Sequence, residues 1–268
     1  MQDYNEFVLE QADCMDIITE FDTYCIQEGF AAIALKIIIN LPTLIIQLIK
    51  SAIRDQIIYL KSWKNSLDAH RVKKADENDE VELMIPDGFG GNMDELIGEL
   101  TIGKNFVNTS YNIIKDVLKF VDGYRRSVNI GREDSFVPII KEMNLLIDQL
   151  HDNNKSVASH KAFQEKIKGY DMVRIKRTMA MGYYNTMMDF YDRYSFVIKD
   201  IDKLCKKIEK KHDKIQNNTH LNVGDTLRTQ FEKSYKSLST ELTDTQKHLT
   251  TCLFNMKNAA KDIIKQRD

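Results

Sequence analysis

The sequence predicts an all-α protein: an elongated helical bundle that ends in a long antiparallel coiled-coil hairpin. Only three prolines and eleven glycines occur in 268 residues, whereas Leu, Lys, Met and Glu, which favour helices, are plentiful. The last third of the chain also carries two long apolar seams at heptad spacing. With 43% hydrophobic residues, the chain can bury a substantial core.

Residues 1–70 are predicted to form an acidic helix followed by a pair of apolar helices. From Glu6 to Ile26 apolar residues recur near helical spacing, and residues 1–28 hold eight acidic side chains and no Lys or Arg. Residues 30–60 are the most apolar stretch of the chain. Pro42 removes a backbone donor there and clashes one turn back, so it predicts either two helices or one bent helix.

The apolar stretch has two interpretations. Residues 30–49 have about the length of a transmembrane span, but Lys36, Asn40 and Pro42 interrupt that span near its middle. As a buried core or assembly helix, the same polar residues fall at the edges of the apolar face. The core interpretation is favoured, and membrane insertion is the alternative.

Residues 71–93 are predicted to be a linker or a surface loop. A charged run is followed by Pro86 and the cluster Gly88-Phe89-Gly90-Gly91, which is typical of loops. The cluster is not a phosphate-binding loop, because no Gly-Lys-Ser/Thr follows it and no buried strand is expected before it. Residues 94–183 then show apolar positions at helical spacing and are predicted to form a helical bundle.

Residues 184–268 are predicted to form an antiparallel helical hairpin. Two apolar seams, spanning 31 and 32 residue steps, have intervals that alternate between three and four residues. The segment between them is Asn-rich and ends at Gly224. Such a turn forces the helices antiparallel, and seams of equal length can then cover each other. The seam positions are Tyr184, Met187, Tyr191, Tyr194, Ile198, Ile201, Cys205, Ile208, His212 and Ile215, then Phe231, Tyr235, Leu238, Leu242, Thr245, Leu249, Cys252, Met256, Ala259 and Ile263.

Charge is segregated along the chain although the formal net charge is only −2. All charged residues of 1–28 are acidic, and residues 75–100 hold nine acids and no Lys or Arg. Residues 101–268, in contrast, have a net positive charge. Blocks of opposite sign indicate contacts within or between subunits. Several lysines lie on the outward faces near the predicted hairpin tip. They are interpreted as a solvated face, and the less favoured alternative is a surface that binds nucleic acid or an acidic partner.

No motif for catalysis, metal binding or nucleotide binding is recognisable. The four cysteines and six histidines are dispersed, without the spacing of a zinc site. The sequence therefore predicts a protein that is not an enzyme and has no cofactor. The first residues show neither a basic region nor an early apolar run, so no signal peptide is expected, and the cysteines are predicted to be free thiols in a reducing compartment.

The first sixty residues resemble the start of helical virion proteins of large tailed bacteriophages. The resemblance is carried by Tyr4-Asn5-Glu6-Phe7-Val8-Leu9-Glu10 and by Asp16-Ile17-Ile18-Thr19-Glu20-Phe21, which lead into the apolar stretch. It implies a structural component of the phage head or tail that is present in many copies and held by helix packing. It also implies a virion location after synthesis in the host cytoplasm.

These observations predict a structural or assembly protein whose partners are further copies of itself or other virion proteins. The alternative is a membrane-acting helical protein that inserts residues 30–60, as pore-forming or genome-ejection proteins do. Nucleic acid is a less favoured partner, through the lysines near the hairpin tip. The candidate interaction residues are Phe7, Ile18, Phe21, Ile38, Ile45, Ile46, Lys206, Lys207, Lys210 and Lys211.

Overall fold

The computed structural model describes residues 30–68, 80–86, 93–128, 135–212 and 224–265, and within these ranges the chain is almost entirely helical. The all-α prediction is therefore confirmed. The helix predicted from Glu6 to Ile26 lies outside the described residues. The elements are α1 (Phe30–Asp68), β1 (Glu80–Pro86), α2 (Met93–Val128), α3 (Phe136–Ser156), α4 (Lys161–Gln164), β2 (Tyr170–Lys176), α5 (Arg177–His212) and α6 (Asp225–Lys265).

The five long helices form a closed ring in the order α1, α6, α3, α2, α5, and α5 returns to α1. α1 and α5 are antiparallel, since Lys50 pairs with Glu209 whereas Trp63, later in α1, packs on Phe190, earlier in α5. The hydroxyl of Tyr124, near the end of α2, donates to the carbonyl of Ile38, near the start of α1 (2.8 Å). Similar contacts show that α1, α3 and α6 run one way and that α2 and α5 run the other.

α1 is a single helix of 39 residues that continues through Pro42, so of the two alternatives, a pair of helices or one bent helix, the pair is wrong. Proline inside a helix costs about 3 kcal/mol. Burial of one large aliphatic side chain is worth about 1.5–3 kcal/mol, so the apolar face on both sides of Pro42 outweighs that cost. The hydrophobic α1 side chains with at most 5% exposure are Ile37, Ile38, Leu41, Ile45, Ile46, Ile49, Ile53, Leu60 and Trp63.

A two-stranded antiparallel sheet adds to the helices. β1 falls within the predicted linker and β2 within the predicted helical bundle, so sequence reasoning missed both strands. The sequence signal that could have predicted β1 is the two-residue period of Val81, Leu83 and Ile85, which are separated by Glu82 and Met84. Ile85 and Ile175 are buried, whereas Glu82 pairs with Arg174 across the strands at 2.6 Å.

The seams of the predicted C-terminal hairpin are largely buried, as their heptad spacing indicated. Their partners differ from the prediction, because α5 packs mainly on α2 and α1, and α6 mainly on α1 and α3. α5 and α6 do meet, for instance where the hydroxyl of Tyr194 donates to the carbonyl of Leu249 (3.1 Å). Pairing of the two helices as a coiled coil is therefore not confirmed, because α1 separates them along much of their length.

Candidate functional site

The structure separates the predicted interaction residues into a buried group and an exposed group. Ile38, Ile45 and Ile46 face the core of the ring and are at most 1% exposed. Lys206, Lys207 and Lys210 are exposed on α5. Lys211 belongs to the last turn of α5, but its side chain is outside the described set, as are the residues Phe7, Ile18 and Phe21.

The exposed lysines belong to a longer row on the outward face of α5. At about 100° of rotation per residue, the row spans roughly a quarter of the helix circumference, directly opposite the buried seam through Ile201 and Cys205. Sequence reasoning did not single out Lys199, although it lies four residues before the next member of the row. We call the row the lysine stripe; its members are Lys199, Lys203, Lys206, Lys207 and Lys210.

Two of the three acidic residues among these lysines turn toward neighbouring helices. Asp200 accepts a hydrogen bond from the hydroxyl of Tyr111 on α2 (2.5 Å), and Glu209 pairs with Lys50 on α1 (2.9 Å). Asp202 pairs with Lys206 in the same helix (2.6 Å). Within the described ranges, no acidic side chain pairs with the other four lysines of the stripe.

An aromatic cluster lies at the end of the stripe that is nearer the start of α5. Phe196 is 54% exposed, and its ring centroid lies 6.4 Å from that of Tyr111. The guanidinium of Arg193 lies 5.5 Å from the first ring and 5.8 Å from the second, within the range of cation–π attraction. Burial, followed by the hydrogen bond to Asp200, raises the pKa of Tyr111, so the hydroxyl stays protonated as a donor.

The lysine stripe and Phe196 together form what we call the α5 patch. Like charges three or four residues apart on a helix repel by about 0.2–0.5 kcal/mol per pair, and the stripe contains five such pairs. The negative end of the helix macrodipole relieves this repulsion only within the last turn, near Lys210. An acidic partner would therefore find an accessible surface whose positive charges are largely uncompensated.

The interior of the ring offers little room for a ligand. A cavity of ≈ 30 Å³ lies between α1, α2, α5 and α6, and its lining is almost wholly apolar. Such a volume admits no more than one or two water molecules. One polar atom, Oε1 of the buried Gln56, has no hydrogen-bond partner in the described part of the chain. The cavity is a packing feature and does not have the size of a substrate site.

A wider, open depression of ≈ 440 Å³ lies between α3 and α6 and is lined mainly by polar side chains, with Asp148 and Lys233 as its charged residues. The hydroxyl of Ser234 donates to Oδ1 of Asn144 (2.8 Å), and an amide cannot serve as a general base. The described ranges contain no group of three or more His, Cys, Asp or Glu side chains that could hold a metal ion.

Buried polar side chains of α6 instead fix the connection between α3 and β2. The amide of Asn255 donates to the carbonyls of Ala162 (2.8 Å) and Glu165 (2.9 Å) and accepts from the backbone N–H of Ile167 (3.0 Å). His248 Nδ1 lies 2.9 Å from the carbonyl of Phe163. Because each of these contacts satisfies a backbone group, they stabilise the fold.

One helix of the described ranges, α1, is long and apolar enough to cross a membrane over Ile37–Lys64, judged by length and composition only. In the folded ring this segment packs against α5 and α6. Its half-exposed isoleucines are Ile39 and Ile58.

Comparison of the chain with protein-family models, with curated proteins and with solved structures gave no match.

Proposed function

We propose that this protein is a non-enzymatic structural subunit that assembles through contacts between oppositely charged surfaces. The observation that carries the proposal is the α5 patch. Five lysines share one outward face, and of the three acids among them only Asp202 pairs with the stripe, at Lys206, so the acidic surface of a partner can neutralise the other four lysines.

The shape of the bundle supports a structural role. α2, α5 and α6 have 36, 36 and 41 residues, about 54–62 Å at 1.5 Å per residue, so the bundle is elongated. The closed ring buries the inner faces of all five long helices, which leaves the outer surface for contacts between subunits.

The resemblance of the first sixty residues to helical virion proteins of large tailed bacteriophages supports a more specific proposal. The subunit would be a component of a phage head or tail, made in the host cytoplasm and present in many copies. Its partners would be further copies of the chain or other virion proteins. A cofactor has no role in this proposal.

Light scattering of the purified protein, across protein concentration and from 0.05 to 1 M salt, tests the assembly function. We expect a mass above that of the monomer at low salt and dissociation as salt rises, because the Debye length falls from about 10 Å at 0.1 M to about 3 Å at 1 M. A monomer at every concentration and every salt would reject the proposal.

Membrane insertion of α1 is the second candidate, and the length and composition of Ile37–Lys64 favour it. Liposome flotation tests it. Because Ile38 and Ile45 lie in the core, charges at those positions would unfold the bundle and would not report on lipid. Ile39→Asp combined with Ile58→Asp is the informative variant, since both side chains are about half exposed.

If α1 inserts, the wild type floats and this double variant stays at the bottom of the gradient while keeping the wild-type circular dichroism. A control pair on α3, Val137→Asp with Leu145→Asp, changes side chains that are also about half exposed and should float as the wild type does. A wild type that does not float rejects membrane insertion.

A further inference from the structure

We propose, on the basis of the assembly function above, that the α5 patch is the docking site for the acidic residues 1–28 of a second copy of this chain. Three observations lead to this partner: the charge of the segment, the spacing of its acids, and the distance between the start of α1 and the patch.

The charges of the two surfaces are complementary in sign. Residues 1–28 carry eight acids and no Lys or Arg, and the stripe carries five lysines. Every copy of the chain carries both surfaces, so two copies can bind each other without a different kind of partner. Complementary surfaces of this kind speed association and select the partner, and their effect weakens as salt rises.

The spacing of the acids matches that of the lysines. Glu6, Glu10 and Asp13 follow each other at intervals of four and three residues, as Lys199, Lys203 and Lys206 do. If the segment is the helix that its apolar spacing predicts, these acids form a row on one face. Such a row can lie along the stripe, and the aromatic Phe7 beside it offers a contact for the exposed Phe196.

The geometry favours a second copy over the same chain. Lys50 pairs with Glu209, and the start of α1 at Phe30 lies twenty residues earlier, about 30 Å along the helix axis. Because α1 and α5 are antiparallel, Lys210 is the end of the stripe nearer to Phe30, and Lys199 is the end farther away. If residues 6–26 form the helix that the sequence predicts, about 30 Å long, that helix would reach on its own chain only the level of Lys210, the end of the stripe nearer Phe30. A neighbouring copy has no such restriction.

The two surfaces differ, so the contact is heterologous. Each subunit offers one acidic segment and one basic patch, and head-to-tail contacts of this type make rings when they close and filaments when they do not. Either form is a many-copy assembly.

Isotope mixing of the full-length protein identifies the docked pair. Chains with ¹⁴N and ¹⁵N are mixed, allowed to exchange, joined with a carbodiimide that couples carboxylates directly to amines, and digested for mass spectrometry. We expect cross-links between the acids of residues 1–28 and the stripe in which one peptide is light and the other heavy. Cross-links only between peptides of the same isotope, or none to the stripe, would overturn the proposal.

Charge reversal provides a second measurement. Lys199→Glu, Lys203→Glu and Lys206→Glu together should weaken self-association by about 10- to 100-fold, because these lysines have the spacing of Glu6, Glu10 and Asp13 and their reversal replaces attraction by repulsion. The matched control changes three exposed lysines on α3 and α6, Lys141→Glu, Lys233→Glu and Lys247→Glu, with the same change in net charge. It should alter association by less than about 3-fold, a free-energy change of well under 1 kcal/mol.

A complementary variant, Glu6→Lys with Glu10→Lys and Asp13→Lys, completes the test. Alone it should associate as weakly as the patch variant, but a 1:1 mixture of the two should recover association, because each acidic surface then faces a basic one. Failure of the mixture to recover, or loss of wild-type assembly on nuclease treatment, would overturn the proposal; the second result would make nucleic acid the occupant. If assembly persists unchanged in the patch variant, the proposed function stands and this docking site is wrong.

Discussion

The two faces of α5 illustrate two different uses of one helix. The inner face, through Ile198, Ile201 and Cys205, is at most 2% exposed and packs against several other helices of the ring. The outer face carries the lysine stripe, whose charges are mostly uncompensated by acids in the described ranges. Stability therefore depends on the inner face, whereas association is expected to depend on the outer face, and substitutions on either face should separate the two properties.

The largest effect is expected from an inner-face truncation. Ile198→Ala removes buried methyl groups beside the small central cavity and should lower the free energy of unfolding by about 2–5 kcal/mol, measured by urea denaturation. Lys199→Ala, the next residue and on the opposite face, should change that free energy by no more than about 0.5 kcal/mol. Similar losses in both variants would contradict the division between the faces.

Substitution of the buried polar residue Asn255 on α6 should also lower stability. Asn255→Ala leaves three backbone groups without this partner, two of them in buried hydrogen bonds, so we expect a loss of about 3 kcal/mol in the free energy of unfolding. Hydrogen exchange adds a local readout, because the amide of Ile167 should lose its protection. The exposed Asn112→Ala is the control and should be neutral in both measurements. Retained protection of Ile167 would show that Asn255 does not fix this connection.

The sequence predicted which faces are buried better than it predicted what they pack against. The heptad spacing of Tyr191, Tyr194 and Ile198 identified the inner face of α5 correctly, because periodicity depends on burial alone. The same spacing carries no information about the partner, so the ring in which α1 lies between α5 and α6 was not foreseen.

Other differences have local physical causes. Pro42 was expected either to divide α1 or to bend it, and the helix is continuous, with an apolar face on both sides of the proline. β1 was interpreted as part of a linker, because its glutamates concealed an alternation of only seven residues. Ile38 was proposed as an interaction residue, since sequence alone does not distinguish a core helix from an exposed apolar one. The lysines were correctly placed outward, but only the structure shows that Asp200 and Glu209 turn toward other helices.

A glycine at a helix crossing tests how closely the interior is packed. A Cβ added at Gly103 on α2 would lie 2.4 Å from Cε of Met256 and 3.4 Å from Sγ of Cys252, both on α6. Gly103→Leu should therefore destabilise the protein by about 1–3 kcal/mol through overpacking. Gly123, on the same helix, has open space around it, and Gly123→Leu should be neutral or gain up to about 1 kcal/mol from helix propensity. A neutral Gly103→Leu in urea denaturation would show that the crossing can widen.

The smallest effect appears only at alkaline pH. Burial, followed by the nearby Glu209 and Asp202, raises the pKa of the Cys205 thiol to about 12. In the unfolded chain a thiol ionises near pH 8.5–9, so the stabilisation is complete below that pH and is lost progressively as pH rises toward 12. At pH 10 the loss from this group should be about 1–2 kcal/mol, since one pKa unit corresponds to about 1.4 kcal/mol. Cys205→Val keeps an apolar side chain of similar size and cannot ionise, so its free energy of unfolding should fall less between pH 7.5 and pH 10 than that of the wild type. An identical fall in both proteins would show that the thiol on the inner face of α5 is not held in its neutral form by the fold.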